Sequence, residues 1–177
     1  MLCLIIYMDK IRLYLDTNMV HDLFVNQAKF VRTGAKLEEP KKFTFMLAHQ
    51  DKFEFITSFL TKAEIMRELI SGHSMGVEMV NRTWDQFVDS LKVNYIENFE
   101  FDSQIVDIVA RTKMKLRTMV NFFHLFICIR EEAYFVSGDK QILEKIMETK
   151  LYDKLLTYID LQKLAANQDT HRHHGVS

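Results

Sequence analysis

Three acidic residues follow apolar, strand-like runs at positions where their carboxylates could act together. Asp16 comes directly after one run, Asp139 lies within two residues of the end of another, and Glu64 lies in the first turn after a third. Because ligands bind at the carboxyl ends of parallel strands, one rim of a sheet would gather all three. Carboxylate oxygens bind hard cations such as Mg²⁺ and Mn²⁺. Such a cation could activate a water molecule for hydrolysis of a phosphodiester.

Each acid also has a purely structural interpretation. Asp is a preferred N-cap, so Asp16 and Asp139 could each cap the helix that follows. Glu64 completes a capping box, in which Thr61 bonds forward and Glu64 bonds back. Capping is the better explanation for any one of them taken alone, but their joint placement at strand ends favours a shared site.

The elements that must position these acids alternate along the chain. Apolar runs predict strands at residues 11–15, 55–59, 93–96, 134–137 and 155–159. Helical spacing of apolar residues predicts helices at residues 18–30, 43–50, 62–71, 75–91, 103–113, 120–131 and 139–149. This alternation, with right-handed crossovers, predicts an α/β fold: a three-layer α/β/α sandwich with a mainly parallel sheet of roughly five strands.

Composition supports a single domain. The 177 residues include only five Gly and one Pro, too little turn chemistry for an all-β fold. We expect the domain to span residues 8–164 and the polar stretch 165–177 to be a disordered tail. The apolar run before Met8 is too short to cross a membrane and lacks the features of a secretion signal, which predicts a cytoplasmic protein. Whether translation starts at Met1 or Met8 stays open.

The chain resembles the PIN domain family in three segments that occur in the family's order. These segments read YLDTNMVHDLF, SFLTKAEIMREL and NFFHLFICIREEAYFVSGDKQIL, and the resemblance covers about residues 11–159. It implies a doubly wound α/β/α fold, Mg²⁺ or Mn²⁺ at an acidic site, and endoribonuclease activity on RNA. Members of the family often serve as the toxin of a VapBC-type toxin–antitoxin pair, which implies an antitoxin partner.

The resemblance also assigns roles to individual residues at strand ends and on the central helix. The implied metal ligands and catalytic residues are Asp16, Glu64, Asn121 and Asp139. The residues implied to support or orient them are Thr17, Asn18 and Ser137.

Asn121 departs from the family pattern, which has an aspartate opening the central helix at this position. A neutral amide still offers an oxygen to a metal but removes one negative charge, so metal affinity should fall. The structural alternative for Asn121 is a helix N-cap. His124, one turn later, would either pack in the core or hydrogen-bond to a ligand residue. The sequence does not distinguish a natural divergence from an introduced, inactivating substitution.

Two segments could contact partners. The formal net charge of −1 gives no overall attraction to RNA, so a local basic patch would have to hold it. The basic residues just before the central helix are candidates, with a solvated charged face as the alternative: Arg111, Lys113, Lys115 and Arg117. Residues 30–52 are longer than a compact PIN domain needs, and the aromatic-rich part 43–47 could bind an antitoxin or a second copy of the chain. Core packing is the alternative there, and a homodimer is the expected oligomer.

Two other functions compete with a nuclease. A HAD-type phosphohydrolase would use Asp16, Ser58 and Asp139, but that class expects further acids where this chain has Asn18 and Leu143. A PIN fold that binds RNA or a protein without cutting is the non-enzymatic alternative, and the neutral amide at the expected aspartate favours it. Mn²⁺ should raise the melting temperature of an active site but not that of an inactive scaffold.

Overall fold

The fold is built on one parallel sheet. A computed structural model of the chain describes residues 10–35, 38–100, 103 and 116–174. The strands are β1 (Ile11–Leu15), β2 (Phe53–Ser58), β3 (Asn94–Ile96), β4 (Tyr134–Val136) and β5 (Leu155–Leu156). They lie in the order β3-β2-β1-β4-β5, and every neighbouring pair is parallel. The predicted five-stranded parallel sheet is confirmed.

Seven helices in the described part of the chain cover the sheet. They are α1 (Thr17–Thr33), α2 (Lys41–Ala48), α3 (Phe59–Arg67), α4 (Val77–Leu91), α5 (Leu116–Arg130), α6 (Lys140–Thr149) and α7 (Tyr158–His174). A π-helical turn, Glu68–Gly72, continues α3. Helices lie on both faces of the sheet, which confirms the predicted three-layer α/β/α sandwich.

Strand β1 contributes to a hydrophobic core on each face of the sheet. Leu13 and Leu15 belong to the core on one face and Tyr14 to the core on the other, as the alternation of side chains along a strand requires. The first core includes a stacked pair, Phe24 on α1 and Trp84 on α4, with ring centroids 5.7 Å apart. The second core is filled mainly from α5 and α6. Burial on both faces explains why this strand reads as a continuous apolar run.

Helix α2 carries the aromatic-rich stretch 43–47. Phe43 and Met46 are buried in the first core, and Phe45 and Leu47 pack against it while partly exposed. The core-packing interpretation is confirmed for Phe43 and Met46.

Helix α1 extends three residues beyond its predicted end. It continues to Thr33, and Gly34 ends it in the left-handed conformation, with φ 69°.

Helix α3 begins earlier than the sequence pattern predicts. Its N-cap is Ser58, whose hydroxyl accepts a hydrogen bond from the backbone N–H of Leu60 at 3.3 Å. Thr61 therefore lies inside the helix and does not cap it. The predicted capping box of Thr61 and Glu64 is wrong, and the Glu64 side chain is free to bond elsewhere.

The carboxyl-terminal region is more helical than predicted. Strand β5 ends at Leu156, because Thr157 and Asp160 form a reciprocal cap that starts α7: the Thr157 N–H donates to Asp160 at 3.2 Å, and the Asp160 N–H donates to Thr157 at 3.2 Å. The helix continues to His174, across most of the stretch expected to be a disordered tail. It is anchored in the first core by Leu161 and Ala165, which are both buried.

The strand order sets where a ligand could bind. Strands β2 and β3 lie on one side of β1, and β4 and β5 lie on the other. The connection that follows β1 therefore runs in the opposite direction to the connection that follows β4. In such sheets, the crevice between the carboxyl ends of the diverging strands is the expected ligand site. Among the described residues, no helix combines the length and the hydrophobicity needed to cross a membrane.

Candidate active site

Asp16 lies at the carboxyl end of β1 and is the most enclosed acid of the site. It is 5% exposed, although Asp is usually a surface residue. Its Oδ1 accepts the Thr17 N–H at 2.7 Å, and its Oδ2 accepts the Asn18 amide at 2.5 Å and the Ser137 hydroxyl at 2.7 Å. Three donors therefore hold one carboxylate in a single orientation between β1 and β4.

The environment of Asp16 disfavours its negative charge. Burial raises the pKa of this carboxyl, and the Glu64 charge raises it further. The charge of His124 and the hydrogen bonds from Ser137 and Thr17 act in the opposite direction, but burial outweighs them. The three donors therefore hold a buried carboxyl whose ionised form a nearby positive charge would stabilise.

Glu64 approaches Asp16 from α3. Its Oε2 accepts the hydroxyl of Thr17 and lies 3.2 Å from Nε2 of His124. Thr17 therefore links the two acids, since its backbone donates to Asp16 and its side chain donates to Glu64. Burial opposes ionisation of Glu64, but the hydrogen bond and charge of His124 and the Thr17 hydroxyl together lower its pKa.

A chain of buried polar groups lies behind Glu64. His124 and Tyr14 are both 0% exposed, and the Tyr14 hydroxyl lies 2.8 Å from Nδ1 of His124. The same hydroxyl lies 2.6 Å from the hydroxyl of Ser58, the cap of α3. Buried polar groups are stable only when they are hydrogen-bonded, and each of these three has a partner.

Asp139 is tied to the site through its backbone. Its N–H donates to the Ser137 hydroxyl at 3.0 Å, and that hydroxyl in turn donates to Asp16. Its Oδ1 caps α6 by accepting the N–H groups of Gln141 at 3.0 Å and Ile142 at 3.3 Å. Asp139 is exposed. The capping interpretation is confirmed, and the described contacts of the Asp139 carboxylate are with its own helix and not with Asp16 or Glu64.

Asn18, Gly138 and Lys42 form the rim between β1 and β4. The Asn18 amide oxygen accepts the Gly138 N–H at 2.6 Å, and the Asn18 carbonyl accepts the Lys42 ammonium at 2.8 Å. A Cβ on Gly138 would lie 3.1 Å from Oδ1 of Asn18 and 3.9 Å from Nζ of Lys42. Glycine therefore allows the segment after β4 to approach the first turn of α1 closely, and the Lys42 ammonium lies next to this contact.

Asn121 is half-buried on α5, one turn before His124. The helix begins at Leu116, so the predicted role of Asn121 as its N-cap is wrong. The described hydrogen bonds of Asp16 and Glu64 do not include Asn121. Of the predicted RNA contacts, Arg111, Lys113 and Lys115 lie outside the described residues, and only the backbone of Arg117, in the first turn of α5, is described. The predicted helix 103–113 also lies outside them, except for residue 103.

The donor set suits a hard cation. Asp16 and Glu64 present carboxylate oxygens linked by one threonine, and Mg²⁺ commonly uses one or two protein carboxylates together with water and substrate phosphates. A divalent cation would also favour the ionised form of Asp16, which burial disfavours. Within the described ranges, no group of three or more His, Cys, Asp or Glu side chains stands ready to hold a metal ion. Asp16 and Glu64 could supply two protein ligands to such a cation, and its other ligands would have to come from water or substrate.

The sequence analysis missed two residues of this region, Tyr14 and Lys42. Tyr14 was predicted only as part of an apolar strand. The available signal was that a tyrosine facing the core needs a hydrogen-bond partner for its hydroxyl. Lys42 precedes a predicted helix and gave no signal, because its contact with Asn18 depends on how α2 packs.

No protein-family model matches the chain, and no curated protein matches it in sequence. The fold and the geometry of the site are therefore the basis on which a function can be argued.

Proposed function

We propose that this protein is a PIN-type endoribonuclease that uses Mg²⁺ or Mn²⁺ to hydrolyse RNA phosphodiester bonds. The observation that carries the proposal is the linkage of Asp16 and Glu64 through Thr17, at the crevice between β1 and β4. Two carboxylates held this close repel each other and are most useful where a cation neutralises them. The three motifs in which the sequence resembles PIN domains coincide with the elements that supply these residues.

Each residue of the site has a distinct role in this proposal. Asp16 and Glu64 would hold the cation, while Asn18 and Ser137 fix the rotamer of Asp16 so that no reorganisation is needed on binding. Asp139 would add its exposed carboxylate at the mouth of the site. A bound cation supplies a water of lowered pKa and neutralises charge that develops on the phosphate.

Asn121 makes this chain a weakened member in our proposal. It contributes an amide oxygen where the family pattern has a carboxylate, so the site has one negative charge fewer to attract a cation. Restoring the acid should therefore strengthen the binding of Mn²⁺.

The test is cleavage of a mixed RNA pool with Mn²⁺ by this chain and by three variants. Asn121→Asp should cut faster and Asp16→Asn should not cut, whereas Asp85→Asn, which alters an exposed acid on α4, should behave as the original chain does. Failure of every variant to cut with any divalent metal would overturn the nuclease proposal.

The second candidate is a PIN fold that binds RNA or a protein without cutting. It is favoured by the absence, in the described residues, of a ready group of three ligating side chains. It predicts that RNA is retained in a filter-binding assay while Mn²⁺ leaves the melting temperature of the protein unchanged. A response of the melting temperature to Mn²⁺ would decide for the enzyme.

The HAD-type alternative is less favoured by the geometry. Ser58, its candidate phosphate ligand, is 0% exposed and is committed to Tyr14 and to the cap of α3. Leu143, where that class needs an acid, is buried in the second core.

A cytoplasmic location, a homodimer and an antitoxin partner belong to the same proposal as the PIN-type activity. Light scattering after size-exclusion chromatography tests the dimer directly. A protein that co-purifies with the chain and inhibits its RNA cleavage would support the antitoxin. A monomer would contradict the dimer, and purification of the chain from its own cells without any inhibitory protein would count against the antitoxin.

A further inference from the structure

Tyr14, His124 and Ser58 form a polar chain that is closed off from solvent and ends on an acid of the site. All three are 0% exposed. The contacts run from Ser58 to Tyr14 at 2.6 Å, from Tyr14 to Nδ1 of His124 at 2.8 Å, and from Nε2 of His124 to Glu64 at 3.2 Å. The residues come from β2, β1, α5 and α3, so four elements meet in this chain of contacts.

The contacts fix the ring of His124 from both sides. Nε2 of His124 faces a carboxylate oxygen of Glu64 and donates to it, because two facing lone pairs would repel. Nδ1 lies 2.8 Å from the Tyr14 hydroxyl, so both ring nitrogens have a partner.

Tyr14 is itself held by Ser58. Its hydroxyl lies 2.6 Å from the Ser58 hydroxyl, whose oxygen also accepts the Leu60 N–H at the start of α3. Groups on β1 and β2, as well as Glu64, therefore fix the orientation of the His124 ring.

We propose that Tyr14 is a positioning residue for the acidic site: its hydroxyl holds the ring of His124 at Nδ1, and Nε2 of that ring then holds the Glu64 carboxylate towards Thr17. The consequence for the cation rests on the proposed function, but the effect on His124 does not. Partners that orient a metal ligand typically contribute about 10–100-fold in metal affinity or activity.

The experiment compares the original chain with Tyr14→Phe and with Tyr152→Phe as a matched control. Tyr152 also donates a tyrosine hydrogen bond, to the Ala133 carbonyl at 2.5 Å, and packs against the same core away from the acids. The first readout is the ¹⁵N spectrum of the metal-free protein labelled at histidine. The His124 signals are assigned by their loss in His124→Gln. The second readout is the affinity for Mn²⁺, measured by its enhancement of water proton relaxation.

We expect a proton on Nε2 of His124 in the original chain and in Tyr152→Phe. In Tyr14→Phe, the Nδ1 signal should move towards that of a nitrogen without a hydrogen bond, and Mn²⁺ affinity should fall about tenfold or more. A His124 ring without a proton on Nε2 in the original chain would overturn the proposal even if Tyr14→Phe failed to fold. Equal Mn²⁺ affinity in the two tyrosine variants would also overturn it.

Failure of the proposed function would look different. If the original chain neither binds Mn²⁺ nor cuts RNA, the enzyme proposal fails. The response of the His124 ring to Tyr14→Phe then still decides whether Tyr14 controls the ring, and an unchanged ring would end the positioning proposal as well.

Discussion

Two strand-to-helix junctions of this protein carry an aspartate in the same local position but in opposite surroundings. Asp16 follows β1 and caps α1, and Asp139 follows β4 and caps α6. Asp16 is 5% exposed and accepts from α1 and from Ser137 after β4, whereas Asp139 is exposed and its carboxylate accepts only from its own helix among the described contacts.

The difference arises from neighbours that are distant in sequence. Ser137 is 121 positions from Asp16 in sequence and donates to it, and Asn18 on α1 links Asp16 to the Gly138 N–H. Among the described contacts, the carboxylate of Asp139 has no such partner from a distant segment. Both aspartates cap a helix. Of the two, Asp16 is also buried by other elements, and this burial makes it the candidate for chemistry.

The largest expected effect is on RNA cleavage, and it distinguishes Asp16 from Asp139. Asp16→Asn should reduce Mn²⁺-dependent RNA cleavage by about 100-fold or more, because it removes the charge in the least solvated part of the site. Asp139→Asn keeps a capping side chain at an exposed position and should lose less. Equal losses, measured as kcat/KM on one RNA substrate, would break the distinction between the two junctions.

A second prediction concerns the contact that joins the two junctions. Gly138→Ala places a Cβ 3.1 Å from Oδ1 of Asn18, so the Asn18 side chain must shift and its bond to the Gly138 N–H is strained. We expect a loss of about 1–2 kcal/mol in the free energy of unfolding by urea, typical of mild overpacking. Gly72→Ala is the control, because that position is exposed and the nearest atom to an added Cβ is 4.0 Å away.

The capping role of Asp139 predicts a smaller change in stability. Asp139→Ala removes the acceptor for two N–H groups of α6 and should lower the free energy of unfolding by about 1 kcal/mol. Asp139→Ser, which retains a capping oxygen, should recover most of that loss. If Ala and Ser behaved alike in urea unfolding, the cap would not contribute.

The smallest effect contrasts Asp16 with Asp160, the capping acid of the β5–α7 junction. The folded pKa of Asp16 is raised by burial, so in the metal-free protein its contribution to stability falls as pH rises above the ordinary value of 3.8. The folded pKa of Asp160 is lowered by hydrogen bonds from Thr157, so its contribution is complete above 3.8 and is lost as pH falls through the lowered pKa.

Urea unfolding in a metal chelator between about pH 3 and pH 7 separates these two contributions. Asp16→Asn should remove the decline in the free energy of unfolding that begins above pH 3.8. Asp160→Asn should remove the increase in the free energy of unfolding that occurs as pH rises towards 3.8. Identical pH profiles for the two variants would contradict the opposite environments of these acids.

The sequence by itself determined the fold class and most element positions. The apolar runs were sufficient because both faces of β1 are buried, and the alternation of strands and helices permits few other packings. It also located Asp16 and Asp139, since a cap depends on residues that are adjacent in the chain.

Only the tertiary structure decided how the candidate site is connected. The sequence left Glu64 either as an acid of the site or as half of a capping box, whereas in the structure it bonds to Thr17, 47 positions away, and to His124, 60 positions away. In the sequence Tyr14 is an ordinary strand residue, and in the structure the position of α5 brings His124 into contact with its hydroxyl. Hydrogen bonds between distant segments leave no periodic pattern in the sequence, because they form only when packed elements bring their polar atoms together.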